Sequence, residues 1–335
     1  MDATVNGAGE KARSAARITL DGVSKVYPDG TVAVGGLSLD VPAGELMVLI
    51  GPSGCGKSTV LRMMNRLIEP TGGRVLIDGR DVTRSDPVEL RRSIGYVIQN
   101  VGLFPHQSIR VNVGTVPRLL GWKRARIRAR ADELLDLVGL DPARFGKRYP
   151  HELSGGQRQR VGFARALAAD PVVLLMDEPF SAVDPIVRAR LQEEFLRLQA
   201  AVRKTVVLVT HDLDEAVKLG DRIAVLSEGG RLEQYATPAE LLSTPASPMV
   251  RDFVGTDRGV RRLSVTPLRA ALRPLGDGQE VDRLPWVPVT GTLYDALAAM
   301  LTADALHVRV MDGDDAVGTV SRSSIFETPA RHPVG

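Results

Sequence analysis

Between residues 18 and 50 the apolar positions alternate with polar ones and break at turn-forming clusters: ITLDGVSKVY, then PDG, AVGGLSLDV and PAG. A period of two sends successive side chains to opposite faces, which predicts an antiparallel sheet or meander. The run MVLI (47–50) drops the alternation and ends in a glycine-rich loop, and the residues after Lys57 take up a helical period. That succession reads as strand, loop, helix. From about 85 to 170 the pattern is mostly helical; RARIRARADELLDLVGL keeps its apolar residues on one face and is punctuated by Gly139 and Pro142. VVLLM (172–176) and TVVLVT (205–210) read as buried strands on either side of the amphipathic VRARLQEEFLRLQAAV, and RIAVLSEGGRLEQY reads as a hairpin turning on Glu228-Gly229-Gly230. Strands alternating with helices predict an α/β core around a mainly parallel sheet, with an antiparallel β part and a helical part attached.

After Phe253 the buried runs shorten and Arg, Pro and Gly become frequent. STPASP and VGTDRG have linker-like composition, which places a domain boundary near 250–260. The resulting division is a tail at 1–17, a main domain at 18–255, a small α+β domain at 256–328 and a tail at 329–335. No solenoid-type repeat is visible.

Composition changes this picture little. The chain has 335 residues, 44% hydrophobic and 25% charged, as an ordinary globular protein has. A net charge of +3 gives no strong field for nucleic acid or an acidic partner. The single cysteine, Cys55, excludes an intrachain disulfide framework. No segment approaches the roughly 18 uninterrupted apolar residues of a membrane-spanning helix, and the polar N-terminus has no apolar signal region. Any membrane role is therefore expected to come through a partner.

The chemistry begins at GPSGCGKST: Gly51, Pro52, Ser53, Gly54, Cys55, Gly56, Lys57, Ser58 and Thr59. Glycines at this spacing let backbone N–H groups approach phosphates, Lys57 neutralises them, and the Ser58 hydroxyl is placed to ligate Mg²⁺. In VVLLMDE, Asp177 ends an apolar strand where a carboxylate can hold the metal, and Glu178 is the candidate general base for an attacking water. An acidic pair at a strand end is, seen alone, more often a turn or cap. Behind a phosphate loop it reads as catalytic.

These motifs define a nucleotide-hydrolysing phosphate-loop protein and no more. LSGGQ (153–157), followed by RQRVGFARALAADP, resembles the signature of the ABC ATPases. The resemblance covers about 18–250. It implies that Ser154, Gly155, Gly156 and Gln157 face the phosphate loop of a second copy, so that two ATP molecules are sandwiched in a homodimer. It further implies that Tyr27 stacks on adenine, that Gln99 senses Mg²⁺ and the attacking water, and that Asp184 in SAVD is the acid of a loop crossing to the partner subunit. By the same resemblance His211, directly after TVVLVT, contacts the γ-phosphate and supports Glu178. The nucleotide set is thus Tyr27, 51–59, 154–157 and Asp184; the catalytic set Glu178, His211 and Gln99; the metal set Ser58, Gln99 and Asp177. His106, His151, His307 and His332 receive no role.

Finer stretches, MMNRLIEPTGG (63–73), QNVGLFPH (99–106), DPIVRARLQEEF (184–195) and FVGTDR (253–258), resemble the ATPases of quaternary-amine and osmoprotectant importers. These handle glycine betaine, choline, carnitine and proline betaine. Amino-acid and methionine importers share much of the pattern. Residues 289–325 resemble one CBS-type unit, for which a packing and a regulatory role stand level. The resemblance implies two membrane-spanning permease subunits, an extracytoplasmic solute-binding protein, and a place on the cytoplasmic face of the membrane, with no direct contact to the solute. The rival class, an ABC ATPase acting on nucleic acid, usually fuses two ATPase units or inserts a long coiled coil, and neither is seen. An exporter ATPase is disfavoured by the terminal unit and by Gly102-Leu103-Phe104, and a catalytically dead binding module by the intact Glu178. The basic stretch RLLGWKRARIRAR (118–130) has only Trp122 as an interleaved aromatic and reads as a solvated face.

Overall fold

Every residue of LMVLI (Leu46–Ile50) is buried, and so is every residue of TVVLV (Thr205–Val209). Parallel strands buried on both faces have no solvent-facing side, which is why these runs are apolar but for the buried Thr205. Each fully buried aliphatic side chain contributes about 1.5–3 kcal/mol through its removal from water. The computed structural model describes residues 14–98, 101–181, 183–275 and 283–327. Its strands are β1 (Ile18–Val26), β2 (Val32–Val41), β3 (Leu46–Ile50), β4 (Gly72–Ile77), β5 (Arg80–Asp81), β6 (Ile94–Val97), β7 (Val173–Asp177), β8 (Thr205–Val209), β9 (Arg222–Ser227), β10 (Arg231–Ala236), β11 (Trp286–Pro288), β12 (His307–Asp312) and β13 (Asp315–Ser321).

The chain divides into two compact units, Met1–Asp212 with Leu226–Leu232, and Leu213–Val225 with Glu233–Gly335. In the first unit, β1 and β2 bury Ile18, Leu20, Val23, Val34, Leu37 and Leu39; the alternation holds at Ile18/Leu20 and Leu37/Leu39 and is broken by a register shift between Leu20 and Val23. They pair antiparallel, Ile18 opposite Val41 and Leu20 opposite Leu39, in a four-stranded sheet of order β2-β1-β4-β5. The larger sheet has the order β3-β8-β7-β6 within this unit. Within it β3 runs parallel to β8, β8 to β7 and β7 to β6. Parallel strands need long crossovers, and the helices Lys57–Met64 and Pro185–Val202 lie in such connections. The carboxyl ends of β3, β7 and β8 therefore lie side by side at one edge of the sheet. The helical part includes Ile109–Val113 and Arg124–Leu137; there the fully buried Asn112 donates to the carbonyls of Phe104, Gln107 and Ser108 and accepts from the Phe104 N–H.

In the second unit, the linker-like composition of STPASP has a local cause. Ser247 caps the helix Pro248–Val254 by accepting from the Val250 N–H, with Pro248 in the first turn. Ser and Pro here open a helix. Further on, β11 runs parallel to β12 and β12 antiparallel to β13. The helix Leu293–Thr302, capped reciprocally by Thr292 and Asp295, packs Leu293, Ala296 and Met300 onto Val287, Val308, Val310 and Val320. Strand, helix, strand, turn, strand and a short helix follow one another from Trp286 to Glu327. Among the described residues no helix is long and apolar enough to cross a membrane.

Candidate functional site

The phosphate-loop candidate leaves the carboxyl end of β3 and enters the helix Lys57–Met64. Two of its glycines are required by close approach. At Gly51 (φ 148) a Cβ would stand 2.2 Å from the Leu226 carbonyl oxygen, and at Gly56 (φ 103) 2.3 Å from that of Ala33. Lys57 is only 7% exposed, and its Nζ donates to the carbonyls of Gly51 and Pro52, both at 2.8 Å. The ammonium thus lies over the loop it follows, with the buried Cys55 Sγ at 3.7 Å. Pro52, Ser53 and Gly54 are exposed, and Thr59 is half-buried on the first helical turn.

From Ser58 the hydroxyl donates to Asp177 Oδ1 at 2.9 Å, across the sheet edge from β3 to the end of β7. A hydroxyl and a carboxylate converging in this way form an oxygen donor set that fits Mg²⁺. Among the described residues no group of three or more His, Cys, Asp or Glu gathers. A magnesium ion held by so few protein ligands completes its shell with water and phosphate oxygens, as Mg²⁺ usually does. Burial, with the Asp177 charge behind it, pushes the neighbouring Tyr96 hydroxyl above its ordinary pKa.

Glu178 follows Asp177 but turns away from the strand. Its φ is +46; its N–H donates to the Val209 carbonyl at 2.9 Å, and its carbonyl accepts from Ser181 Oγ at 3.0 Å. A left-handed conformation in a side-chain-bearing residue costs about 1–3 kcal/mol, and bonds to two neighbouring segments hold it. This posture brings Glu178 Oε1 to 3.3 Å from His211 Nδ1, with the carboxylate 24% and the imidazole 59% exposed. Asp177 is paired with Val209 in the parallel ladder, so the residues that follow each strand meet.

The LSGGQ residues open the helix Gly155–Leu167. Ser154 Oγ accepts from the Gln157 N–H at 3.3 Å, and Gln157 Oε1 accepts from the Ser154 N–H at 3.0 Å. This reciprocal cap places the N–H groups of Gly155 and Gly156 at a positive helix end, which favours an anion. Asp184 caps a second helix, Pro185–Val202, accepting from Ile186 and Val187 at 3.0 and 3.4 Å. Tyr27 sits half-buried after β1, its N–H bonded to the Thr31 carbonyl at 2.9 Å and the Lys25 ammonium 5.4 Å from its ring centre. Gln99 lies outside the described residues.

Three residues that sequence reasoning passed over bear on this site. Gln159 is buried in the helix Gly155–Leu167 and donates to the Pro179 carbonyl, next to Glu178. Arg165, on the same helix, donates to the carbonyls of Val101 and Gly102. Arg188 donates to the Val183 carbonyl at 3.2 Å and lies 3.4 Å from Asp212, beside His211. The only sequence signal is that Gln159 and Arg165 each stand three residues from Gly162, the spacing of neighbours on a helix surface; Arg188 carries none.

The ABC transporter family model matches residues 34–181. The chain is 51% identical over 284 residues to the osmoprotectant import ATP-binding protein OsmV of Salmonella typhimurium, covering 84% of this chain and 72% of that protein. It is 55% identical over 241 residues to the glycine betaine/carnitine/choline transport ATP-binding protein OpuCA of Bacillus subtilis, covering 72% of this chain and 63% of that one. The alignments thus span about two thirds of these relatives' lengths. Among solved structures, the dimeric post-hydrolysis state of the ATP-binding cassette MJ0796 bound to ADP and Pi matches with a TM-score of 0.58 and 36% identity, over 66% of this chain and 98% of that one. Phosphate loop, strand-end acids, capped glycine signature and the identity to these relatives agree: the chain belongs to the ATP-binding subunits of ABC transporters, and it is an ATP-binding ATPase of that family.

Proposed function

We propose that this subunit hydrolyses ATP to power import of a quaternary amine or related osmoprotectant (glycine betaine, choline, carnitine or proline betaine). The observation that carries the hydrolytic part is the convergence of two pairs at the sheet edge: Ser58 with Asp177 at 2.9 Å, and Glu178 with His211 at 3.3 Å. The solute class rests on relatives of 50% identity and more that are named for such transport.

In this reading residues 18–255 form the ATPase domain and 256–328 a small CBS-like domain. Each ATP lies between Tyr27 and residues 51–59 of one copy and Ser154, Gly155, Gly156 and Gln157 of a second, with Asp184 on the loop between them. Lys57 leaves its own loop carbonyls for the β and γ phosphates. Ser58, Asp177 and Gln99 would hold Mg²⁺, which would supply charge neutralisation on the phosphate oxygens. Glu178 accepts a proton from the attacking water as the water's oxygen forms its bond to the γ-phosphorus and the bond to the leaving ADP oxygen breaks. His211, with its proton on Nδ1, fixes the Glu178 carboxylate for that step. Separated products repel and reopen the dimer. Two membrane-spanning permease subunits take up the motion, a solute-binding protein outside delivers the solute, and the ATPase sits on the cytoplasmic face without touching it.

The test is uptake of glycine betaine and choline in cells carrying the wild type or Lys57→Ala, at low and high osmolarity. Uptake that disappears with Lys57→Ala and rises with osmolarity supports the proposal. Uptake of both solutes unchanged by Lys57→Ala overturns the solute class and leaves the ATPase assignment standing.

A further inference from the structure

The helix Gly155–Leu167 presents its first turn to the site, and its far end makes a two-point polar contact of its own. Arg165 Nη1 donates to the Gly102 carbonyl and Nη2 to the Val101 carbonyl, each at 2.6 Å. The two arms of the guanidinium fork thus bind two successive carbonyls. Arg165 is half-buried, and burial lowers its pKa from the ordinary value without threatening its charge.

The segment it holds is unusual. Val101 and Gly102 both have left-handed backbones, φ +51 and +57, and for a β-branched residue that conformation is a genuine outlier. The Val101 N–H donates to the Ile98 carbonyl at 3.0 Å. Its side chain fills a notch in the helix, for a Cβ on Gly162 would stand 2.6 Å from Val101 Cγ1. One turn earlier, Gln159 donates to the Pro179 carbonyl. One helix thus grips Val101 and Gly102 at one end, bonds the chain after Glu178 further along, and begins at the Ser154 cap.

We propose that Arg165 is a positioning residue for ATP hydrolysis: its guanidinium fork fixes the segment following Gln99 to the helix that Ser154 opens, so that both reach the nucleotide as one piece. The inference rests on the site reading above, in which Gln99, Glu178 and Ser154 serve one reaction. Arg165 touches neither Lys57 nor Ser58, so its loss acts on turnover and leaves ATP binding to the phosphate loop in place. A lysine cannot substitute, because a single ammonium lacks the planar fork that reaches two carbonyls together.

The experiment compares purified full-length wild type with Arg165→Ala, Arg165→Lys and Gly162→Ala, measuring MgATP turnover per nucleotide-binding site, KM for ATP and thermal unfolding. Gly162→Ala leaves the guanidinium intact and crowds Val101 through its side chain, where the added Cβ would stand 2.6 Å from Cγ1. The expected result is a fall in kcat of at least tenfold in Arg165→Lys and Gly162→Ala with KM within twofold of wild type. Should Arg165→Ala fail to fold, those two variants decide. A kcat per site within twofold of wild type in Arg165→Lys, or a loss carried by KM alone, overturns the proposal. Glu178→Gln is measured alongside: turnover surviving there overturns the site reading itself, a separate failure.

Discussion

Gly54 and Gly56 stand two residues apart in the same loop, both with positive φ, yet they differ in what surrounds them. At Gly54 (φ +80) an added Cβ meets nothing within 4 Å. At Gly56 (φ +103) it stands 2.3 Å from the Ala33 carbonyl oxygen and 3.2 Å from Val34 Cγ2. Alanine at Gly54 therefore costs only the left-handed backbone, about 1–2 kcal/mol. Alanine at Gly56 adds an overlap of roughly 1 Å with a backbone atom, against the usual contact of about 3.5 Å between non-bonded heavy atoms. Overpacking of this kind costs about 1–3 kcal/mol more, since neither β2 nor the helix Lys57–Met64 shifts freely. The total is about 2–5 kcal/mol for Gly56→Ala. Urea unfolding of the nucleotide-free protein, followed by circular dichroism, reads the stability difference directly, and fluorescent-ATP titration reads its consequence for binding. Gly56→Ala is expected to unfold at clearly lower urea and to bind ATP more weakly than Gly54→Ala. Equal midpoints for the two variants, or the reverse order, would refute the idea that close approach of β2 dictates glycine at position 56.

Two further outcomes follow from the geometry. Glu178→Gln keeps the shape of the side chain and removes its capacity to accept a proton, so ATP turnover is expected to fall by about 10²–10⁴ with ATP binding retained, measured by phosphate release and nucleotide titration. Elsewhere in the first unit, the Arg17 guanidinium pairs in bidentate fashion with Asp40, at 2.7 and 2.8 Å, and this bond holds the Asp40 carboxyl below its ordinary pKa against the opposing effect of burial. A folded pKa below the unfolded one gives stability that is present above about pH 4 and is lost as pH falls through the folded value. Wild type is therefore expected to lose thermal stability more steeply than Asp40→Asn below pH 4, and identical acid limbs would refute the pairing.

Much of the site was legible because its parts obey local rules. The glycine spacing of 51–56 follows from the approach of Leu226 and Ala33 carbonyls, and VVLLMDE shows an apolar strand reaching its carboxyl end at Asp177. The meeting of Glu178 with His211 is not local; nothing in either segment names the other, and only the family resemblance suggested it. Arg165 and Gln159 were illegible for the opposite reason. Polar residues on a helix are ordinarily read as its solvated face, and only the tertiary structure shows that these two turn inward to backbone carbonyls. Asp184 was read from the resemblance as an acid for a partner subunit, and its spacing before Pro185 also fits the N-cap bonds it makes. In STPASP the same cap chemistry imitates a linker, since Ser and Pro serve turns and helix starts alike.

The contact between Glu178 and His211 depends on strand register more than on either residue. In the parallel ladder Asp177 stands opposite Val209, and Leu49 of β3 stands opposite the same residue. Three strand ends are thereby brought level, and the loops leaving them carry Lys57 with Ser58, Glu178, and His211. A slip of β8 by one residue moves its end by about 3.3 Å and turns its side chains to the other face. His211 Nδ1, now 3.3 Å from Glu178, would lose hydrogen-bond reach altogether. The register is pinned at both ends: Thr205 Oγ1 accepts from the Gly44 N–H at 2.9 Å, the Val206 N–H donates to Glu45 at 2.9 Å, and the Thr210 N–H donates to Leu49 at 3.1 Å. Thr205 is fully buried, so its hydroxyl satisfies a backbone donor that would otherwise cost about 1–3 kcal/mol. The one polar residue in an apolar strand thus helps to keep β8 level with β3, and a catalytic pair at its far end relies on that alignment.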